Sequence, residues 1–105
     1  MIKGRKSMKT NSEFILREIA GEAVLIPTGE ASQNLNGMIH LTETGAFIWK
    51  QVDTAADLEE ITERIRSEFE VDEETARRDV RGFLHELYIR GLVADIAEFE
   101  GDIDI

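Results

Sequence analysis

The side chains best suited to chemistry cluster in one stretch near the C-terminal end of the chain. Arg77, Arg78, Arg81 and His85, rotated by about 100° per residue, fall on one side of a helix and border Leu84 and Tyr88. Guanidinium groups beside an apolar shelf suit a bound segment, with Arg77 and Arg81 meeting its carboxylates while Leu84 and Tyr88 supply apolar contact. Simple solvated stems laid over the core are the plainer use of any single Arg. The other imidazole, His40, lies far away in the chain, and there is no HxxxH spacing and no Cys. The residues therefore spell out no metal set. Acidic residues number 22, yet nearly all fall on the polar sides of amphipathic segments, where nothing would shift a carboxyl toward acid-base catalysis. No GxSxG, P-loop or dinucleotide-binding glycine pattern occurs. The expectation is a binding protein, not an enzyme, with no cofactor and no metal.

Composition narrows the partners. A chain of 105 residues with 42% apolar content suits one folded domain with a single core. The formal net charge of -10 opposes a phosphate backbone as the main partner, because that affinity comes from clustered cations. No apolar run reaches the roughly 20 residues of a membrane span, and no signal peptide is visible, so the expected place is the cytoplasm, away from membranes. Charge is segregated. Lys3, Arg5, Lys6 and Lys9 make residues 1–12 a basic arm expected to be flexible, whereas Asp95, Glu98, Glu100, Asp102 and Asp104 make residues 95–105 an acidic tail. The domain between them is expected to span residues 13–94.

Two short apolar runs at 14–19 and 23–26, separated by Ala20, Gly21 and Glu22, have the spacing of a β-hairpin. A third strand is expected over residues 35–41, brief, with Gly37 near its start and His40 between apolar neighbours. At Thr42 the period changes. Its hydroxyl is placed to cap a helix whose apolar positions, Ala46, Phe47, Ile48, Trp49 and Val52, surround much of the axis. Asp57 with Glu60 opens a second helix carrying Leu58, Ile61, Ile65 and Phe69, and Asp72 opens a third that stops at Gly91. In the third, Ala76, Val80, Phe83 and Leu87 are expected to form the core stripe. Three N-terminal antiparallel strands followed by three helices make an α+β domain of winged helix-turn-helix type. If the third strand is an edge, its outer N–H and C=O groups are a template for an added peptide, and Gly37 lets another backbone come close.

Several runs, taken in order, resemble the PqqD-like family, also called the RiPP recognition element and named for the D protein of pyrroloquinoline quinone biosynthesis. They are Leu41-Thr-Glu-Thr-Gly-Ala-Phe-Ile-Trp49, Asp57-Leu-Glu-Glu-Ile61, Phe69-Glu-Val-Asp72, Asp79-Val80 with Phe83, Leu84 and Leu87, and Gly91-Leu-Val93. Thr42 stands where family members often carry Asn, and both residues cap helices. The resemblance implies a domain that binds the leader segment of a ribosomally made precursor peptide. The leader adds to the third strand, at Gly37, Met38, Ile39, His40 and Leu41 here, and packs on the third helix. The domain presents the precursor to a modifying enzyme, often a radical SAM protein or a leader peptidase.

Two other readings use the same residues. A winged-helix DNA-binding regulator would touch DNA through Arg77, Arg78 and Arg81, against the repulsion of Glu73, Glu74 and Asp79. An oligomerisation module would form a homodimer by pairing its edge strand or exchanging its N-terminal strands.

Overall fold

A one-residue connector sets the architecture. The strand Ile39–Leu41 passes through Thr42 directly into the helix Glu43–Val52, and the Thr42 hydroxyl accepts a hydrogen bond from the Gly45 amide at 3.0 Å, satisfying one of the orphan donors of the first turn. The computed structural model describes residues 7–34 and 37–100. In chain order these form β1 (Lys9–Thr10), β2 (Phe14–Ile19), β3 (Glu22–Pro27), α1 (Ala31–Asn34), β4 (Ile39–Leu41), α2 (Glu43–Val52), α3 (Leu58–Glu68), α4 (Glu73–Ile89) and β5 (Val93–Ala94), with a 3-10 turn at Ala97–Phe99.

The main sheet is antiparallel in the order β2-β3-β4. Ala20 and Gly21 both adopt positive φ, 54° and 83°, as a two-residue hairpin turn matched to the strand twist requires. Register places Leu16, Leu25 and Ile39 side by side, and this row faces a core that includes Ile48, Trp49, Val52, Ile61, Ile65, Val80 and Leu84. The helices start where their caps stand. Asp57 accepts from the Glu60 amide at 2.9 Å, and Glu60 reaches back to the Ala56 amide at 2.8 Å, a reciprocal carboxylate cap displaced by one residue from the usual box. The α+β class and the winged-helix-like arrangement expected from the sequence are both present.

Two expectations are corrected, and the tail, which the sequence leaves as either disordered or docked, packs on the core through Ile96 and Phe99. The basic arm does not remain an arm as far as residue 12. Met8 is 3% exposed, and β1 pairs antiparallel with β5. The Thr10 amide and hydroxyl both donate to Asp53, at 2.8 and 2.9 Å, and the Asn11 amide donates to the Leu92 carbonyl at 2.8 Å. Polar side chains thus tie down a stretch that has no apolar period. The acidic tail also folds back, because Ile96 and Phe99 are fully buried and the Glu98 carboxylate accepts from the Leu58 amide at 3.4 Å, at the N-terminus of α3. The third strand begins at Ile39 rather than 35, and the preceding loop holds the short α1, whose Ala31 amide donates to Glu13 at 2.9 Å. Residues 1–6 of the arm, residues 35 and 36 of the expected strand and residues 101–105 of the tail lie outside the described residues.

Because Phe99 fills the core from beyond the last strand, Phe99→Ala should cost about 3–5 kcal/mol, read from urea unfolding of the two chains. A second outcome concerns acid. Glu60, Asp72 and Glu73 are each held below the ordinary carboxylate range: Glu60 first by the Ala56 amide, Asp72 by the Thr75 hydroxyl and Glu73 by a hydrogen bond from Arg77. The unfolded chain therefore binds these protons more tightly, so the stabilisation is present above the unfolded pKa and is lost as pH falls through the folded values. Urea midpoints should hold steady from about pH 7 to about pH 5 and fall below about pH 4, with a shallower fall in Glu60→Gln.

Candidate functional site

β4 is bonded to β3 on one side only, with Leu25 opposite Ile39 and Val24 opposite His40. Among the described residues no strand lies beyond it. Ile39 and Leu41 turn to the core. His40 turns to the other face, where its ring lies 3.4 Å from Glu22. Met38, just before the strand, is 47% exposed, and Gly37 sits at φ +86° with open space where a side chain would project. The edge is therefore short, and among the described residues its outward backbone groups have no partner strand, the arrangement that accepts another extended chain.

The flank of α4 that meets the junction of β4 and α2 carries Arg78, Asp79, Gly82 and Phe83. Leu84 is 0% exposed and belongs to the core. Tyr88 lies 5.4 Å from the Phe99 ring, His85 lies 5.0 Å from it, and the Arg81 guanidinium stands 5.3 Å over it. Arg77 is held by Glu73 at 2.8 Å and Glu59 at 3.0 Å, an attachment that raises its pKa. Arg77 and Arg81 thus border a hollow of about 200 Å³ against α3 and Glu98, Arg81 and Tyr88 pack on Phe99, and this flank is bordered by α3 and by the folded-back C-terminal segment. The buried stripe is Ala76, Val80, Leu84 and Leu87, which rotates Phe83 out of the core centre to the opposite flank. Ile96 and Phe99, apolar residues within an acidic tail, were the available sign that something would cover the Tyr88 side.

That opposite flank meets the start of α2, the helix into which β4 runs. Thr42, Thr44, Gly45 and Ile48 on one side and Arg78, Asp79, Gly82 and Phe83 on the other enclose a hollow of about 260 Å³. Gly45 is required by packing, since a Cβ there would meet the Phe83 ring at 3.0 Å. Gly82 is not. Nothing lies within 4 Å of where its Cβ would be, and its backbone is helical, so its lack of a side chain weakens the helix and what it leaves behind is room. The chemistry of the hollow is an apolar wall with one cation and one anion at its rim, suited to receiving a side chain of a segment laid along β4. Among the described residues no group of three His, Cys, Asp or Glu side chains is placed to hold a metal, and no helix is long and apolar enough to cross a membrane.

Filling the empty position modestly should strengthen the helix: Gly82→Ala is expected to raise stability by about 0.5–1 kcal/mol, measured by thermal or urea unfolding.

Comparison with known proteins follows the same lines. Among solved structures the chain is similar to TbiB1 in complex with the TbiA(beta) leader peptide, at 28% identity and a TM-score of 0.64 over 81% of this chain and 93% of that one. It is also similar in fold to a lasso peptide synthetase B1 complexed with the leader peptide, at 18% identity and a TM-score of 0.67 over 85% of this chain and 99% of that one. No curated protein matches. The family Coenzyme PQQ synthesis protein D (PqqD) matches residues 14–93, a span that runs from the first residue of β2 to the first of β5, and the chain belongs to that family.

Proposed function

We propose that this protein is a non-catalytic adaptor that binds the leader segment of a ribosomally synthesised precursor peptide and presents it to a modifying enzyme. One observation carries the reading: the unpaired outer edge of β4 runs into the α2 start that forms one wall of the Gly82 hollow. The leader adds as a strand along Gly37, Met38, Ile39, His40 and Leu41, and one of its side chains enters between Thr42 and Phe83. Backbone pairing supplies affinity and the hollow supplies selectivity. Family membership and the similarity to TbiB1, solved with a leader peptide, support the same assignment. The recipient enzyme is of the radical SAM or leader-peptidase kind, and the peptide-binding segment, residues 13–94, sits in a folded unit that also includes β1 and the turn at Ala97–Phe99.

A DNA-binding role loses its chemical basis, since Arg77 is engaged by two glutamates and Arg78 stands beside Asp79. Self-pairing of β4 into a homodimer uses the same edge and would compete with the leader.

Amide spectra recorded during titration with synthetic leader peptides, taken from short precursor genes neighbouring this one, are the direct check. Perturbations should concentrate on residues 37–41 and 79–83, and Gly82→Trp, which fills the hollow, should weaken binding by at least about tenfold. Shifts confined to α3 or to the termini would sink the assignment.

A further inference from the structure

A larger cleft, about 830 Å³, opens on the other side of α2. Its floor is apolar: Leu41, Ala46, Phe47 and Phe69. The two Phe rings meet edge to face at 5.5 Å and 87°, and both remain half-buried, although an aromatic pair of this kind is stable when fully covered. Around them stand Glu18, Glu22, Glu43 and Glu68, all exposed, with Lys50 and His40 as the basic side chains of the lining among the described residues. Glu22 lies 3.4 Å from the His40 ring and Glu43 stands in the first turn of α2, where a carboxylate suits the helix dipole, and Glu18 and Glu68 add to the negative rim beside them.

The two hollows lie on opposite sides of α2. Glu43, Ala46, Phe47 and Lys50 face the large cleft, whereas Thr44, Gly45 and Ile48 face the small one. The large cleft is bounded by the β2–β3 hairpin and reaches the end of β4 at His40 and Leu41, whereas Gly37, Met38 and Ile39 do not line it.

We propose that this cleft is a second docking surface, and that its occupant is a Lys- or Arg-bearing segment of a second protein whose aromatic or aliphatic side chain seats on Phe47 and Phe69. The charge of the rim selects the cations, and the half-buried ring pair selects the apolar anchor between them. That the second protein is the enzyme receiving the precursor rests on the adaptor reading; the chemistry of the cleft does not.

The probe is the synthetic peptide Lys-Phe-Lys-Lys-Phe-Lys, with its all-Glu counterpart as control, titrated into the full chain while amide spectra are recorded. Saturable shifts are expected at Ala46, Phe47, Lys50 and Phe69 with the basic peptide and not with the acidic one. They should weaken by at least about tenfold between about 50 mM and about 500 mM salt. The double variant Glu18→Lys with Glu68→Lys changes two exposed positions and should abolish them, while Gly82→Trp should leave them intact. Equal response to the acidic peptide, persistence at high salt, or shifts centred on residues 37–39 and 79–83 would overturn the proposal. If the double variant loses its dispersed spectrum, the salt series on the unaltered chain decides. Failure of leader binding with intact cleft shifts would refute the adaptor reading alone.

Discussion

The single residue between β4 and α2 constrains nearly everything else. Thr42 ends a strand and caps a helix at once, so the edge of the sheet and the start of the central helix cannot move independently. α2 then lies between the sheet and the α3–α4 pair, burying Ile48, Trp49 and Val52. With Gly45 packed against Phe83, the distance from the open edge to α4 is set by backbone and ring contacts, not by a loop. A surface meant to receive an extended chain gains from such rigidity, because little ordering remains to be done on binding.

The helices α2, α3 and α4 were legible because each announces itself twice, by an apolar period and by a cap: Thr42, Asp57 and Asp72. The hairpin was legible from Gly21. The rotation of α4 was only half legible. Phe83 and Leu84 are adjacent, both apolar and about 100° apart, and which of them points to the centre depends on what lies on either side. Leu84 is the one at the centre, and the segment that packs on its neighbours His85 and Tyr88 is the one carrying Phe99, 15 residues from Leu84. The β1–β5 pair was hidden for a related reason. It is two residues long, and its anchor is the Thr10–Asp53 contact, which joins polar residues with no local periodicity.

Electrostatics separate the two flanks of α4. On the closed flank Arg77 is bound by glutamates of two helices and Arg81 lies over a ring, so both cations serve the fold. On the open flank Arg78 and Asp79 stand at a rim left empty by Gly82. In a chain of net charge -10, the number of cations on a helix is therefore a poor guide to function; what matters is which of them the protein has already engaged.

The family's matched span ends at residue 93, but the folded unit does not. Ile96 and Phe99 complete the side of α4 that Leu84 and Tyr88 would otherwise show to water. Ancestry and architecture thus draw different borders on this chain. A piece trimmed to the inherited segment would keep every element of the open sheet edge, yet it would carry a bare apolar strip along its longest helix, and its copies would tend to cling to one another there.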